Sequence, residues 1–119
     1  MIKRLLILDD DRDVLDVMQE VLTYEGFDVK IIDKADNIFD DIAAYQPHLL
    51  LLDYILSGIN GGEICHQVKT NERTGYLPVI MVSAYPKVIA SLGDYGSDGF
   101  IAKPFDITHL VNEVNRVLN

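Results

Sequence analysis

Four apolar runs in the sequence end at a residue that can take part in metal, proton or phosphoryl chemistry. Three aspartates follow "LLIL" at positions 9 to 11, Asp53 follows "LLLL", Ser83 follows "VIMV" and Lys103 follows "GFIA". Carboxylates about 5 Å apart repel each other by roughly 3 kcal/mol per pair at an effective dielectric constant near 20. If these aspartates converge in the folded chain, they therefore need a cation.

The types of these residues favour a hard divalent ion. They offer oxygen ligands without a neighbouring His or Cys, and Mg²⁺ is the ion that binds a few carboxylates while keeping part of its water shell. Mg²⁺ in turn indicates phosphate chemistry, in which a carboxylate beside the ion acts as nucleophile while a lysine and a hydroxyl stabilise charge on the phosphoryl oxygens. A single polar residue after a strand is more often a turn former or a helix cap. Asp11 or Asp13 fits such a cap at the start of the first helix.

The elements that must position these residues alternate along the chain. Five apolar runs are typical of strands buried on both faces, and they cover Leu5–Leu8, Val29–Ile32, Leu49–Leu52, Val79–Val82 and Phe100–Ala102. Apolar residues at helical spacing follow each run, in segments 14–22, 38–42, 64–68, 88–92 and 107–118. Gly58, Gly61 and Gly62 are expected in a loop before the third helix, and Asp106 is expected to cap the last one.

This (βα)5 order predicts an α/β fold, a doubly wound five-stranded parallel sheet with helices on both faces. In such sheets the functional site lies outside the carboxyl ends of the strands, at the point where the strand order reverses. All the residues singled out above follow strands, so the pattern predicts that they meet at one edge.

Length and composition limit the classes of function. With 119 residues, 49% of them hydrophobic, the chain is expected to form one domain over residues 1–119. A net charge of −9 disfavours direct binding to nucleic acid or to anionic membranes. Only one cysteine is present, Cys65, and the N-terminal apolar run is too short for a signal peptide, so we expect a cytoplasmic location.

Four segments together resemble the response-regulator receiver domain of two-component signalling. They are "LLILDDDRDVL", "LLLDYILSGINGG", "VIMVSA" and "DGFIAKPF", and they occur in the family's order over the whole chain. The resemblance implies a flavodoxin-like fold with strand order 2-1-3-4-5, an order that is a general illustration for chemotaxis members of this family. It also implies a signalling switch that catalyses only its own phosphoryl transfer and dephosphorylation.

The resemblance implies a role for each matching residue. Asp53 would accept a phosphoryl group from a phosphohistidine on a sensor histidine kinase or a histidine phosphotransfer protein. Mg²⁺ would be bound by Asp10, by Asp53 and by the backbone carbonyl of Ile55, while Asp9 would act mostly through a bound water. Asp11 matches a third position of this block that is often acidic.

The remaining matches imply how the signal would leave the site. Ser83 would move toward the phosphoryl oxygen, Lys103 would pair with the phosphoryl group, and Phe100 would be the switch aromatic. Pro104 would follow a cis peptide bond. The output would be a protein-binding surface for a downstream target, and a phosphorylation-dependent homodimer is one form that it could take.

The chain also departs from the family pattern. Ser57 stands where a proline is frequent, and the spacing from Ser83 to Lys103 is about two residues shorter than usual, which predicts a short fourth helix. Two other classes stay open on the residues alone. A flavodoxin-like cofactor binder would need a phosphate loop rich in small residues after the first strand, and a small phosphohydrolase would leave the Asp53 segment unexplained.

Overall fold

The computed structural model describes residues 1–56, 59–85 and 95–119. Its main sheet has five parallel strands in the order β2-β1-β3-β6-β7. These strands are β1 Arg4–Leu8, β2 Asp28–Ile32, β3 Leu49–Asp53, β6 Val79–Ser83 and β7 Gly99–Ala102. A separate antiparallel pair consists of two strands of two residues each, β4 Ile55–Leu56 and β5 Ile59–Asn60. The predicted order 2-1-3-4-5 is confirmed, because the five main strands are the first to fifth of the sequence prediction.

Four helices lie in the described ranges: α1 Arg12–Tyr24, α2 Ile38–Tyr45, α3 Gly61–Thr70 and α4 Ile107–Leu118. The predicted helical segment 88–92 lies outside the described residues, and so do Ser57 and Gly58. The predicted caps are confirmed at both ends of the chain. Asp11 accepts hydrogen bonds from the N–H groups of Asp13 and Val14, and Asp106 accepts them from Thr108 and His109.

The core lies on both faces of the sheet, which is why the strands read as continuous apolar runs. Leu6 and Leu8 point toward α2 and α3, whereas Leu5 and Ile7 point toward α1 and α4. Every residue of β3 is buried, Asp53 included. The alternation along β1 and β3 therefore fixes which helices cover each face. The polar residues of these two central strands lie at the strand ends.

The predicted loop over Gly61 and Gly62 is wrong, since both residues form the first turn of α3. Asn60 caps this helix by accepting a hydrogen bond from the N–H of Gly62. The helix begins so close to β3 that a Cβ at Gly61 would overlap the carbonyl oxygen of Asp53. Gly61 is thus required by a close approach of helix to strand and not by a flexible connection.

At the outer edge of the sheet, α4 reaches back to β7. The N–H of Phe100 donates a hydrogen bond of 3.0 Å to the Glu113 carboxylate, and Arg116 donates to the carbonyl of Asp98. Arg116 also pairs with Glu113 at 2.6 Å, and this hydrogen bond is the main reason that the pKa of Glu113 lies below its usual value. These bonds tie the last helix to the edge strand. Across the described ranges, no helix combines the length and apolar character needed to cross a membrane.

Candidate functional site

Three carboxylates converge at the carboxyl ends of the two central strands. Asp9 and Asp10 follow β1, and Asp53 is the last residue of β3, which pairs with β1 in parallel register. Asp9, Asp10 and Asp53 each offer an oxygen, and these three atoms lie within 4.8 Å of one another. Asp9 and Asp53 are buried, while Asp10 is exposed. The aspartates picked out by sequence therefore form one cluster with an opening to solvent.

Lys103 supplies a positive charge to this cluster from the end of β7. Its Nζ lies 2.8 Å from the Asp9 carboxylate and 3.4 Å from the Asp53 carboxylate. Burial acts to lower the pKa of Lys103, but its hydrogen bonds and charge interactions with the two aspartates outweigh burial and raise it. The lysine therefore stays protonated. The Lys103–Pro104 peptide bond is cis, as the resemblance implies.

The electrostatics of Asp53 differ from those of an ordinary carboxylate. Burial and the neighbouring charge of Asp9 raise the pKa of Asp53 from 3.8 to about 6, although Lys103 acts in the opposite direction. One lysine does not neutralise three carboxylates. The charge that is left over favours an added cation, and a group with a raised pKa in a partly open cluster is a candidate for chemistry.

The donor set fits Mg²⁺. An octahedral ion with bonds of 2.0–2.1 Å holds its ligand oxygens up to about 4.2 Å apart, which the three converging carboxylates can reach with small side-chain adjustments. All three ligands are oxygens, and the exposed side of the cluster leaves room for water ligands. Asp9, Asp10 and Asp53 would hold the ion, and the carbonyl of Ile55, two residues after Asp53, remains a predicted fourth ligand.

Local hydrogen bonds fix the loop that carries the first two aspartates. Asp9 accepts a hydrogen bond of 2.9 Å from the N–H of Asp11 through one carboxylate oxygen and bonds Lys103 through the other. Asp11 in turn caps α1 through its own side chain. The contacts of Asp11 therefore give it a structural role, because it caps the helix that begins beside the cluster.

Ser83 ends β6, the strand next to β3. It is 1% exposed, and its hydroxyl oxygen accepts a hydrogen bond of 2.8 Å from the N–H of Tyr85. Ile55 and Tyr85 expose about half of their side chains, 52% and 54%. These two residues lie two positions after Asp53 and Ser83, and neither side chain carries a carboxylate or an amide.

Phe100 lies on β7, two residues before the carboxyl end of that strand. It is half-buried on β7, directly opposite Met81 of β6, and packs on the core between the sheet, α2 and α3. Ala102, two residues after Phe100 on β7, pairs with Ser83. An aromatic side chain and the Ser83 hydroxyl thus sit two residues apart in register on adjacent strands.

Two features of the site are missing from the sequence prediction. The β4–β5 pair follows β3, and the ring centroids of Tyr54 and Tyr95 lie 6.1 Å apart. Neither leaves a clear pattern, because the strands are two residues long and the tyrosines are 41 residues apart in sequence. His48 lies at the opposite end of the sheet, where it accepts a hydrogen bond from the Arg4 N–H.

Comparisons with known proteins agree with this geometry. A family model described as the response regulator receiver domain matches residues 5–115. Response regulator ArlR of Staphylococcus saprophyticus is 35% identical over 97% of this chain and 52% of that protein. RpaA of Synechocystis sp., a DNA-binding dual master transcriptional regulator, is 32% identical over 97% of this chain and 48% of that protein. The chain thus spans about half the length of these curated relatives.

Solved structures extend the comparison to the fold. A CheY-like response regulator receiver domain protein from Methanospirillum hungatei has a TM-score of 0.86 and 29% identity. The match covers 99% of this chain and 94% of that chain. The similarity therefore includes the whole sheet and the helices on both of its faces.

Proposed function

Because this chain belongs to the response regulator receiver domain family, we propose that it accepts a phosphoryl group on Asp53 with the help of Mg²⁺. The observation that carries the proposal is the convergence of Asp53 with Asp9, Asp10 and Lys103 at one end of the sheet. Receiver domains are signalling switches, and response regulators receive phosphoryl groups from histidine kinases. The specific donor here would be a sensor histidine kinase or a histidine phosphotransfer protein.

The proposed transfer uses the protonation states that the site favours. With a pKa of about 6, Asp53 is mostly ionised at pH 7 and offers a carboxylate oxygen as nucleophile. That oxygen forms a bond to phosphorus as the bond from phosphorus to the donor imidazole nitrogen breaks, and the imidazole leaves neutral or takes a proton from solvent. Bound Mg²⁺ would neutralise charge on the phosphoryl oxygens.

The other site residues would then read the new charge. Lys103, 3.4 Å from Asp53, is within reach of a phosphoryl oxygen on that side chain. Ser83 would give up the hydrogen bond that it accepts from the N–H of Tyr85. Its hydroxyl would instead donate a hydrogen bond to a phosphoryl oxygen. Phe100 would move with it, changing a surface that binds a downstream protein.

Partners and location complete the proposal. The net charge of −9 supports a receiver that does not itself contact nucleic acid, even though its relative RpaA is DNA-binding over a chain about twice as long. A protein target, a cytoplasmic location and one domain over residues 1–119 are part of the same proposal. A phosphorylation-dependent homodimer would appear as a change in molar mass by light scattering when the protein is labelled.

The direct test is labelling with a small phosphodonor. The protein, incubated with acetyl phosphate and Mg²⁺, should gain the mass of one phosphoryl group, which hydroxylamine should remove because it cleaves acyl phosphates. Asp53→Asn should gain nothing while keeping its circular dichroism spectrum, and Asp16→Asn, an exposed carboxylate on α1, should be labelled normally. Stoichiometric labelling of Asp53→Asn would contradict the assignment.

The same experiment separates the two alternative classes. A phosphohydrolase would release inorganic phosphate over many turnovers without accumulating a labelled protein. A flavodoxin-like cofactor binder would show neither labelling nor turnover. The cluster of carboxylates favours the receiver, since a phosphate group placed beside it without a cation would be repelled.

A further inference from the structure

Tyr54 lies between two residues that the proposed function assigns to the metal. It follows Asp53 and precedes Ile55, yet its own side chain turns away from the cluster and is 5% exposed in the core beside α3. Its backbone is held on both sides, because its N–H donates to Val82 at 2.9 Å and its carbonyl accepts from Gly61 at 2.6 Å. Whatever fixes Tyr54 therefore also fixes the metal-binding segment.

The side chain of Tyr54 is fixed by Tyr95. Their ring centroids are 6.1 Å apart with an angle of 37° between the planes. The two tyrosines are thus joined by ring packing.

Tyr95 itself occupies an unusual position. Its φ of 55° lies in the left-handed region, which residues other than Gly seldom adopt. Such a backbone conformation persists where the surrounding structure holds it. Its carbonyl accepts a hydrogen bond from the Cys65 thiol, and its ring lies against Gly62, where a Cβ would come within 2.6 Å of the ring. The start of α3 is therefore shaped to receive the Tyr95 ring.

We infer that Tyr95 is a positioning residue for metal binding and phosphoryl transfer, acting through Tyr54. This inference rests on the proposed function, because it assumes that the Asp53–Ile55 segment binds Mg²⁺. With Tyr95 in place, the segment between the two ligands has one arrangement before the ion arrives. Without it, Tyr54 gains alternatives that binding must remove, so the ion binds less tightly.

The expected effect follows from the strength of an aromatic pair. Loss of such a pair corresponds to about a two- to tenfold change in an equilibrium constant. Tyr95→Ala should therefore bind Mg²⁺ about two- to tenfold more weakly in a calorimetric titration of the unphosphorylated protein, and it should need correspondingly more Mg²⁺ for half of its maximal rate of labelling by acetyl phosphate. The rate at saturating Mg²⁺ should stay close to that of the unmodified protein, since Tyr95 does not touch the reacting atoms. Tyr95→Phe, which keeps the ring, should recover most of the Mg²⁺ dependence.

A second variant moves the Tyr95 ring without changing either tyrosine. Gly62→Ala places a Cβ within 2.6 to 2.8 Å of three ring atoms of Tyr95 and so displaces the ring, while alanine itself favours the helix. It should raise the half-saturating Mg²⁺ concentration in the same direction as Tyr95→Ala. Gly62→Ala also serves as the test if Tyr95→Ala does not fold.

Controls separate positioning from a general loss of stability. Val114→Ala removes core volume on α4, on the opposite face of the sheet, and should lower the melting temperature without changing the Mg²⁺ dependence. Tyr76→Ala removes an exposed tyrosine and should change neither. If Tyr95→Ala and Gly62→Ala match Val114→Ala in their Mg²⁺ dependence, the inference is wrong. If the unmodified protein is not labelled on Asp53 at any Mg²⁺ concentration, the proposed function fails instead.

Discussion

Replacing Asp53 by Asn should stabilise the fold in the absence of metal. The carboxylate of Asp53 is buried beside Asp9, and its pKa is raised from 3.8 to about 6. A raised pKa means that the folded chain binds the proton more tightly than the unfolded chain. The corresponding stability is fully present below pH 3.8 and is lost as the pH rises through 6. Asn keeps the shape of the side chain and removes this loss.

The magnitude can be worked from the two pKa values. A difference of about 2 in pKa corresponds to roughly 3 kcal/mol in the free energy of unfolding. The pKa of about 6 already includes the opposing effect of the 3.4 Å ion pair with Lys103, and the shorter pair between Lys103 and Asp9 remains in the variant. We therefore expect a gain of about 2 to 3 kcal/mol above pH 7, or roughly 10 °C in melting temperature for a domain of this size.

The assay is urea and thermal unfolding followed by circular dichroism, in buffer with EDTA at several pH values between 4 and 8. The difference between Asp53→Asn and the unmodified protein should be smallest near pH 4 and reach its full value above pH 7. Glu20→Gln, an exposed carboxylate on α1, controls for the general effect of removing one charge. Added Mg²⁺ should stabilise the unmodified protein more than the variant, so the difference should then shrink.

Two results would refute this reasoning. A difference in stability that does not change with pH would mean that the ionisation of Asp53 is not its source. A variant less stable than the unmodified protein at pH 7.5 would mean that the pair with Lys103 outweighs burial and the repulsion from Asp9.

Three further predictions concern the lifetime of the signal, its transmission and the last helix. The phosphorylated protein should lose its phosphoryl group slowly, because Ile55 and Tyr85 exclude water without orienting it, and Ile55→Asn and Tyr85→Glu should each lose it several-fold faster in a decay assay; unchanged or slower decay would contradict this. Backbone amide shifts on adding a beryllofluoride phosphoryl mimic and Mg²⁺ should reach Phe100 and α4, whereas shifts confined to the metal-binding loops would leave Phe100 as core only. Asp106→Ala should lower the free energy of unfolding by about 1 kcal/mol in urea titrations, with Asp106→Asn much closer to the unmodified protein; equal loss in both variants would argue against a capping role.

The strands were predictable because both faces of the sheet are covered, whereas their order was implied by the resemblance to the receiver family. An apolar run such as residues 49–52 is typical of a buried strand when helical segments alternate with it. The bounds of each of the five main strands lie within one residue of those predicted. The same rule brings Asp9, Asp10, Asp53 and Lys103 together, since the ends of parallel strands meet at one edge. Most of the cluster thus follows from the positions of polar residues after apolar runs.

What the sequence could not give depends on contacts between distant elements. Gly61 and Gly62 read as a loop because glycine usually marks one, whereas here the helix passes so near the Asp53 carbonyl and the Tyr95 ring that side chains do not fit. The pairing of Tyr54 with Tyr95 depends on how α3 sits against β3, and hydrophobic periodicity carries no information on that placement. Likewise, the bond from Phe100 to Glu113 requires knowing which residues of α4 face the edge strand.

That last bond bears on how the domain avoids unwanted association. A strand at the edge of a sheet offers unpaired N–H groups to any extended chain that comes near, and this is a common route to aggregation. On β7 the outward N–H of Phe100 is already bonded to a carboxylate. Because Arg116 keeps the pKa of Glu113 low, this cover stays ionised and in place in mildly acidic solution. One outward N–H of this edge strand is therefore unavailable to a second chain, which disfavours extension of the sheet at that point.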